Sequence, residues 1–354
     1  MRKTVAFILA MTMSLSLAAC GGSSTGSSSA ASSTAASAAS EGADSAKDAA
    51  PDKVYELKVS TTQAETAPIV QGLQAIADRV AEDTKGGVKI TIYPSSQLGA
   101  EEDMIDQALQ GMNVAVLTDA ARMSNYVYDM GIFNMAYLVD NYDEACKVMD
   151  TDIFKSWQDQ LVDQGIRVLC FNFYDGARSF MTNKKVTSPA DLKGQVIRTP
   201  GADPWVNSIE SMGATAYSVA WSEVYNSIQT KVIDGCEVQN TSAVSSHIYE
   251  VCKYVAKTEH INLVNCLIAG ETWFSSLPAE YQEIVLNDAY GCAYENAKKV
   301  ESLQPEMEKT LVDNGMEIVE VDKAPFKEAA KAAYEKMGWT ELREKIYAEI
   351  GKEA

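Results

Sequence analysis

The stretch "ADLKGQVIRTP", residues 190–200, puts one permanently charged side chain at the end of a short apolar strand. Val196 and Ile197 read as buried, and Pro200 ends regular structure soon after. Arg198 therefore sits where the chain enters a core. A guanidinium keeps its proton and is almost never fully buried alone. Its partner is either a carboxylate of the chain or an anion that arrives from outside. The chemistry on offer is two-pronged recognition of a carboxylate, which a lysine would meet only as a point charge.

The remaining inventory argues against catalysis. There are two histidines, His247 and His260, and no H-E-x-x-H, G-x-S-x-G or P-loop pattern. Glu101 and Glu102 read as an exposed helix start, where their charge suits the dipole. No two cysteines stand at metal-ligand spacing. No enzyme activity, cofactor or metal is expected.

The elements that must hold Arg198 alternate. "YELKVSTT" reads as a strand, "APIVQGLQAIADRVAEDTKG" as a helix, "VKITIYP" as a strand, "EEDMIDQALQG" as a helix and "NVAVLTD" as a strand. This is the pattern of an α/β lobe with a mostly parallel sheet, whose ligands bind beyond the carboxyl ends of the strands. Gln63, Glu65 and Asp119 stand at such ends, placed to read hydroxyl or amine groups, with surface-loop roles as the alternative. A second set follows. "RVLCFNFY" and "QVIRTPG" read as strands, "DPWVNSIESMG" as a helix with Asp203 as N-cap, "ATAYSV" as a strand, "AWSEVYNSIQTKV" as a helix and "DGCEVQ" as a turn into a strand. From Pro278 a helix of more than thirty residues is expected, long enough to cross between lobes, with a kink at Pro305. Tyr174, Trp205, Trp221 and Phe133 fall near the expected cleft, where apolar walls around a few polar groups form the usual small-molecule site.

Composition gives the address. Arg2 and Lys3 precede the apolar run "TVAFILAMTMSLSLAA", too short to be a permanent span and of the secretory-signal type. Residues 1–20 end in "LAAC", which resembles the lipobox of bacterial lipoproteins, so Cys20 is the expected site of lipidation. Residues 21–52 are mostly Ser, Ala, Gly and Thr and read as a disordered tether. The formal charge of -19 argues against nucleic acid and anionic lipid as partners. Six further cysteines, several in apolar runs, are expected mostly as free buried thiols.

Taken in order, "YPSSQLGAEEDMIDQALQGMNVAVL", "GARSFMTNKKVTSPADLKGQVIRTPG", "MGATAYSVAWSEVYNSIQTKVIDGCE", "VCKYVAKTEHI" and "LPAEYQEIV" resemble the solute-binding proteins of TRAP transporters, the DctP-like family, over nearly all of 55–335. The resemblance implies a two-lobed, hinged α/β binding protein with a long C-terminal helix spanning both lobes. Lobe I would hold 53–175 with 264–303, and lobe II 176–263 with 304–354. It implies an organic-acid ligand, a membrane permease as partner, and an extracytoplasmic, lipid-anchored protein, with a monomer expected. It assigns Arg198 to the ligand carboxylate and makes Arg178 a second candidate, with a structural partner as the alternative. Where many relatives carry Asn after "DG-x-E", this chain has Val238, and Gln239 follows, so the usual polar clamp is in doubt and the site more apolar. Gln239 or Asn240 could compensate, although strand alternation would turn Gln239 away from Val238. Glu237 would be a structural carboxylate. A ligand with an apolar body is mildly favoured. The competing reading is a lipid-anchored sensor that presents its bound state to a receptor kinase.

Overall fold

The computed structural model describes residues 53–353; the expected signal, Cys20 and the tether lie outside the described residues. Nine strands form one sheet: β1 (Tyr55–Ser60), β2 (Val88–Tyr93), β3 (Val114–Asp119), β4 (Ile166–Thr182), β5 (Val196–Thr199), β6 (Thr215–Ser218), β7 (Gly235–Gln239), β8 (Tyr254–Gly270) and β9 (Glu317–Val319). The spatial order is β2-β1-β3-β8-β4-β7-β5-β6, with β9 beside β8.

Each end of the sheet is parallel, as the alternation of strands and helices predicts: β2-β1-β3 on one side and β7-β5-β6 on the other. The helix Pro68–Asp83 buries Ile69, Val70, Leu73, Ile76, Ala77 and Val80, the stripe its spacing sets out. Pro68 fits the first turn because the missing N–H has no helical acceptor there. In the second half, the helix Asp203–Ser211 begins one residue earlier than expected. Ala202 is its N-cap, and Asp203 lies inside it beside Pro204.

The centre differs from a mostly parallel sheet. The 17-residue strands β4 and β8 run antiparallel to each other and link both halves. Their pairing shifts register at four points between Val168 and Phe180, irregularities that bend and twist a strand pair. Gly176, at φ 108°, occupies one of these shifts. Gly235 is required by close approach instead, since a Cβ there would lie 2.2 Å from the Met181 carbonyl oxygen.

The cores follow the two halves. Leu57, Val59, Leu117, Phe173 and Cys292 share one cluster, whereas Met181, Val224, Cys236, Val255 and Leu311 share another. Cys292 and Leu311 belong to one helix, Ala279–Asp313, whose 35 residues rise about 52 Å and continue through Pro305. It packs against both halves. The six cysteines from Cys146 to Cys292 are free thiols, five of them buried. Among the described residues no helix is long and apolar enough to cross a membrane.

Candidate functional site

The carboxyl ends of β1, β3, β5, β6 and β7 converge on a cavity of about 510 Å³ between the halves. Arg198, Arg178, Trp205, Trp221, Val238, Gln239, Gln63 and Asp119 all line it.

Arg198 is 4% exposed. Its Nε donates to the Val219 carbonyl oxygen at 3.0 Å, and its Cζ lies 5.3 Å over the Trp221 ring. Among the described residues no carboxylate lies within ion-pair distance of it. Burial, reinforced by the neighbouring Arg178, pushes the guanidinium down to about 10 from 12.5, which still leaves it charged at neutral pH. Among the described residues its two terminal nitrogens make no hydrogen bond, and they form the open ends of a charged fork.

Arg178 is the opposite case. Its Nε and Nη2 donate to the two carboxylate oxygens of Glu237 at 2.5 and 2.8 Å, and Nη1 donates to Gln239 Oε1 at 2.9 Å. Glu237 has no exposure and also accepts from Thr199 Oγ1 at 2.8 Å. Burial alone would raise that carboxyl, but Arg178 and the nearby His260 hold it down at about 2. Glu237 is thus the structural carboxylate expected, and Arg178 is its counter-ion while also showing an edge to the cavity. Arg178 Cζ lies 4.7 Å over Trp205, whose Nε1 donates to Asp119 Oδ1 at 3.2 Å.

Gln239 does not turn away from the cavity. It ends β7, pairs across the sheet with Arg178, and caps the short helix Asn240–Ser245, so alternation no longer governs it. Its Nε2 donates to Ser242 Oγ at 2.7 Å, and that hydroxyl donates to Gln63 Oε1 at 2.7 Å, joining the two halves.

Three expected residues lie elsewhere. Tyr174 stacks on Tyr142 at 5.0 Å and donates to Asn262 Oδ1 at 3.1 Å, beside a smaller cavity. Phe133 packs edge to face on Phe171 in the core. Glu65 is exposed in the loop after β1. Aromatic type and position along the chain did not reveal which partners these rings would find.

Sequence reasoning missed a charged wall opposite Arg198. Arg122, in the short helix Ala120–Met123 that follows β3, pairs with Asp119, with Glu102 at 2.9 Å and with Glu101 at 3.5 Å. Glu101 is not the exposed residue its position suggests: its side chain is 9% exposed, and burial pushes its carboxyl up to about 7 against the pull of Arg122. Asn265 on β8 was also missed. It is 8% exposed, lines the cavity, and its amide has no hydrogen bond among the described residues. The signal was present in "LVNCLIAG", where a carboxamide interrupts an apolar run.

Residues 59–340 match the family model described as bacterial extracellular solute-binding protein, family 7, the DctP family. The chain belongs to this family of TRAP solute-binding proteins. It is 30% identical over 270 residues to a solute-binding protein of Chromohalobacter salexigens, covering 76% of this chain and 80% of the relative. The sialic acid-binding periplasmic protein SiaP of Vibrio cholerae is 25% identical over 259 residues, covering 73% and 81%. Among solved structures, a TRAP periplasmic solute-binding protein from Ochrobacterium anthropi with bound L-fuconate superposes with a TM-score of 0.81 at 30% identity, covering 84% of this chain and 99% of that one. One from Actinobacillus succinogenes with bound L-galactonate gives 0.80 at 26% identity, covering 84% and 99%. The DctP family binds solutes and is not catalytic, and its fold is the two-lobed α/β plan with a long C-terminal helix.

Proposed function

We propose that this DctP-family protein captures an organic acid by pairing the solute's carboxylate with Arg198, and delivers it to a TRAP permease. One observation carries the reading: Arg198 is a buried guanidinium on the cavity wall with no carboxylate within ion-pair distance among the described residues. A planar carboxylate fits its two free nitrogens and supplies the missing charge. The solved relatives with L-fuconate and L-galactonate, both carboxylates, support the class. The mobile bodies would be 53–175 with 264–303, and 176–263 with 304–354, closing about the register shifts of β4 and β8. Closure takes the ion pair out of water, which strengthens the attraction while adding a desolvation cost. Lipidation of Cys20 would hold the protein at the outer face of the cell membrane beside the permease.

The test is a thermal-shift screen of organic acids followed by calorimetry. A ligand at 100 times its Kd adds about 2.7 kcal/mol of stability. Arg198→Ala should weaken binding by about 2–5 kcal/mol, tens to thousands fold. Arg198→Lys should also bind poorly, because the charge remains but the fork is gone. Near-normal affinity in Arg198→Ala would rule the pairing out.

A further inference from the structure

The cavity is electrically two-sided. On the wall built by β5 and β7, Arg178 is matched by Glu237, which leaves Arg198 as surplus positive charge. On the opposite wall, three carboxylates, Glu101, Glu102 and Asp119, share the single guanidinium of Arg122. That wall carries surplus negative charge. Glu102 lies close enough across the space for the charge of Arg198 to act on its carboxyl.

A second observation on the acidic wall points to a ligand. Asn265 pairs directly with Asp119 across β8 and β3, so both side chains leave the same face of the sheet. Asn265 is 8% exposed as a whole residue, lines the cavity, and its carboxamide has no hydrogen bond among the described residues. With no such partner, its carboxamide is satisfied from the cavity side, by water when the site is open and by a polar group of the solute when water is expelled. Among the described residues no group of three His, Cys, Asp or Glu side chains is disposed to hold a metal, so a divalent cation is a poor candidate for this wall.

We infer that the acidic wall is an ammonium-accepting subsite and that the solute is a monocarboxylate carrying a protonated amine away from its carboxylate. This deepens the proposed capture of an organic acid and rests on it. The argument is one of charge. A second carboxylate, or a phosphate dianion, would need a second unpaired cation, yet Arg178 and Arg122 are both committed to carboxylates of the chain. A neutral hydroxyl can donate to Glu102 or Asp119 but leaves the surplus charge of the wall uncancelled. An ammonium donates up to three hydrogen bonds and cancels one charge at the same time. The Asn265 carbonyl oxygen can accept another of those protons.

The test is calorimetry on the full chain with paired probes at pH 7: 4-, 5- and 6-carbon ω-hydroxy monocarboxylates and the ω-amino monocarboxylates of the same lengths, together with gluconate and its 6-amino-6-deoxy counterpart. In at least one pair the amine should bind tenfold or more tightly than the hydroxyl. Glu102→Gln should cut that ratio by about tenfold, because it removes negative charge without removing an acceptor. If hydroxy acids bind and no amine counterpart binds more tightly, the inference is overturned while the pairing with Arg198 stands. An amine preference that survives Glu102→Gln unchanged overturns the placement at this wall. If neither series binds, the inference fails, and the separate Arg198→Ala test on ligands from the organic-acid screen decides the capture reading on its own.

Discussion

The two walls of the cavity each set glutamate against arginine, with opposite results. Glu237 and Arg178 form a one-to-one pair, and the carboxyl is held at about 2. Glu101 shares Arg122 with two other carboxylates, and its carboxyl is pushed up to about 7. Burial penalises both anions, so burial alone cannot explain the difference. What differs is how much of one guanidinium each carboxylate receives. Glu237 has two close charge-assisted bonds and a hydroxyl donor, whereas Glu101 has one distant nitrogen. The same rule separates the two arginines of the first wall: the chain answers the charge of Arg178 with Glu237, and among the described residues it sets no carboxylate against Arg198, the cation left for the proposed ligand.

The largest effect that tests this contrast is on stability. Arg178→Ala leaves Glu237 charged, fully buried and unmatched, and should destabilise the ligand-free protein by about 3–5 kcal/mol. Arg198→Ala removes a buried charge that meets no carboxylate among the described residues, so ligand-free stability should hold or rise. Urea unfolding of both variants without ligand measures this directly. Equal losses in the two would mean that Arg198 has a structural partner after all.

The second effect is read along pH. Glu237 is lowered from 4.5 to about 2 in the folded protein, so its contribution is complete above pH 4.5 and disappears as pH falls through 2. The difference amounts to about 3 kcal/mol, which Glu237→Gln should remove from the acid limb of the stability curve. Glu101 has the reverse sign. Its folded value of about 7 lies above 4.5, so its contribution is complete below pH 4.5 and is lost as pH rises through 7. Relative to wild type, Glu101→Gln should therefore gain about 3 kcal/mol between pH 4.5 and 7. Parallel curves for wild type and Glu101→Gln over that window would show that Arg122 satisfies Glu101 fully.

Much of the frame was legible because periodicity reports local burial. The stripe on Pro68–Asp83 and the parallel outer strands follow from it, and the ends of those strands lead to Arg198, Asp119 and Gln63. The central pair was less legible. "RVLCFNFY" reads as a strand ending at Tyr174, yet Asp175 and Gly176 both lie within β4, Asp175 fully buried. A bulge and a turn use the same residue types, and only the partner strand decides between them. The acidic wall was hidden for a related reason. Glu101 sits at a helix start, where exposure is the ordinary outcome, and its burial depends on Arg122, on a different element. Tyr174 and Phe133 were placed wrongly because their ring partners, Tyr142 and Phe171, lie far along the chain.

The smallest effect separates the two Arg–Trp pairs. Arg178 lies over Trp205 at 4.7 Å and Arg198 over Trp221 at 5.3 Å, so the geometry alone looks alike. Their surroundings are not. Trp205 is 1% exposed and bonded to Asp119, whereas Trp221 is half-buried at the cavity edge and bonded only to Ser246, at 3.2 Å. If Arg198 meets the ligand as proposed, the face of Trp221 steadies that cation, so Trp221→Leu should cost binding about 0.5–2 kcal/mol, the usual range for such a contact. Its effect on ligand-free stability should stay below about 1 kcal/mol, as for most partly exposed positions. Trp205→Leu should show the reverse weighting, losing more stability because it opens a cavity in the core and frees Asp119. Calorimetry and urea unfolding on the same two variants give both numbers. If Trp221→Leu loses stability and keeps affinity, its ring supports the fold rather than the bound anion, and Arg198 would have to meet its ligand without it.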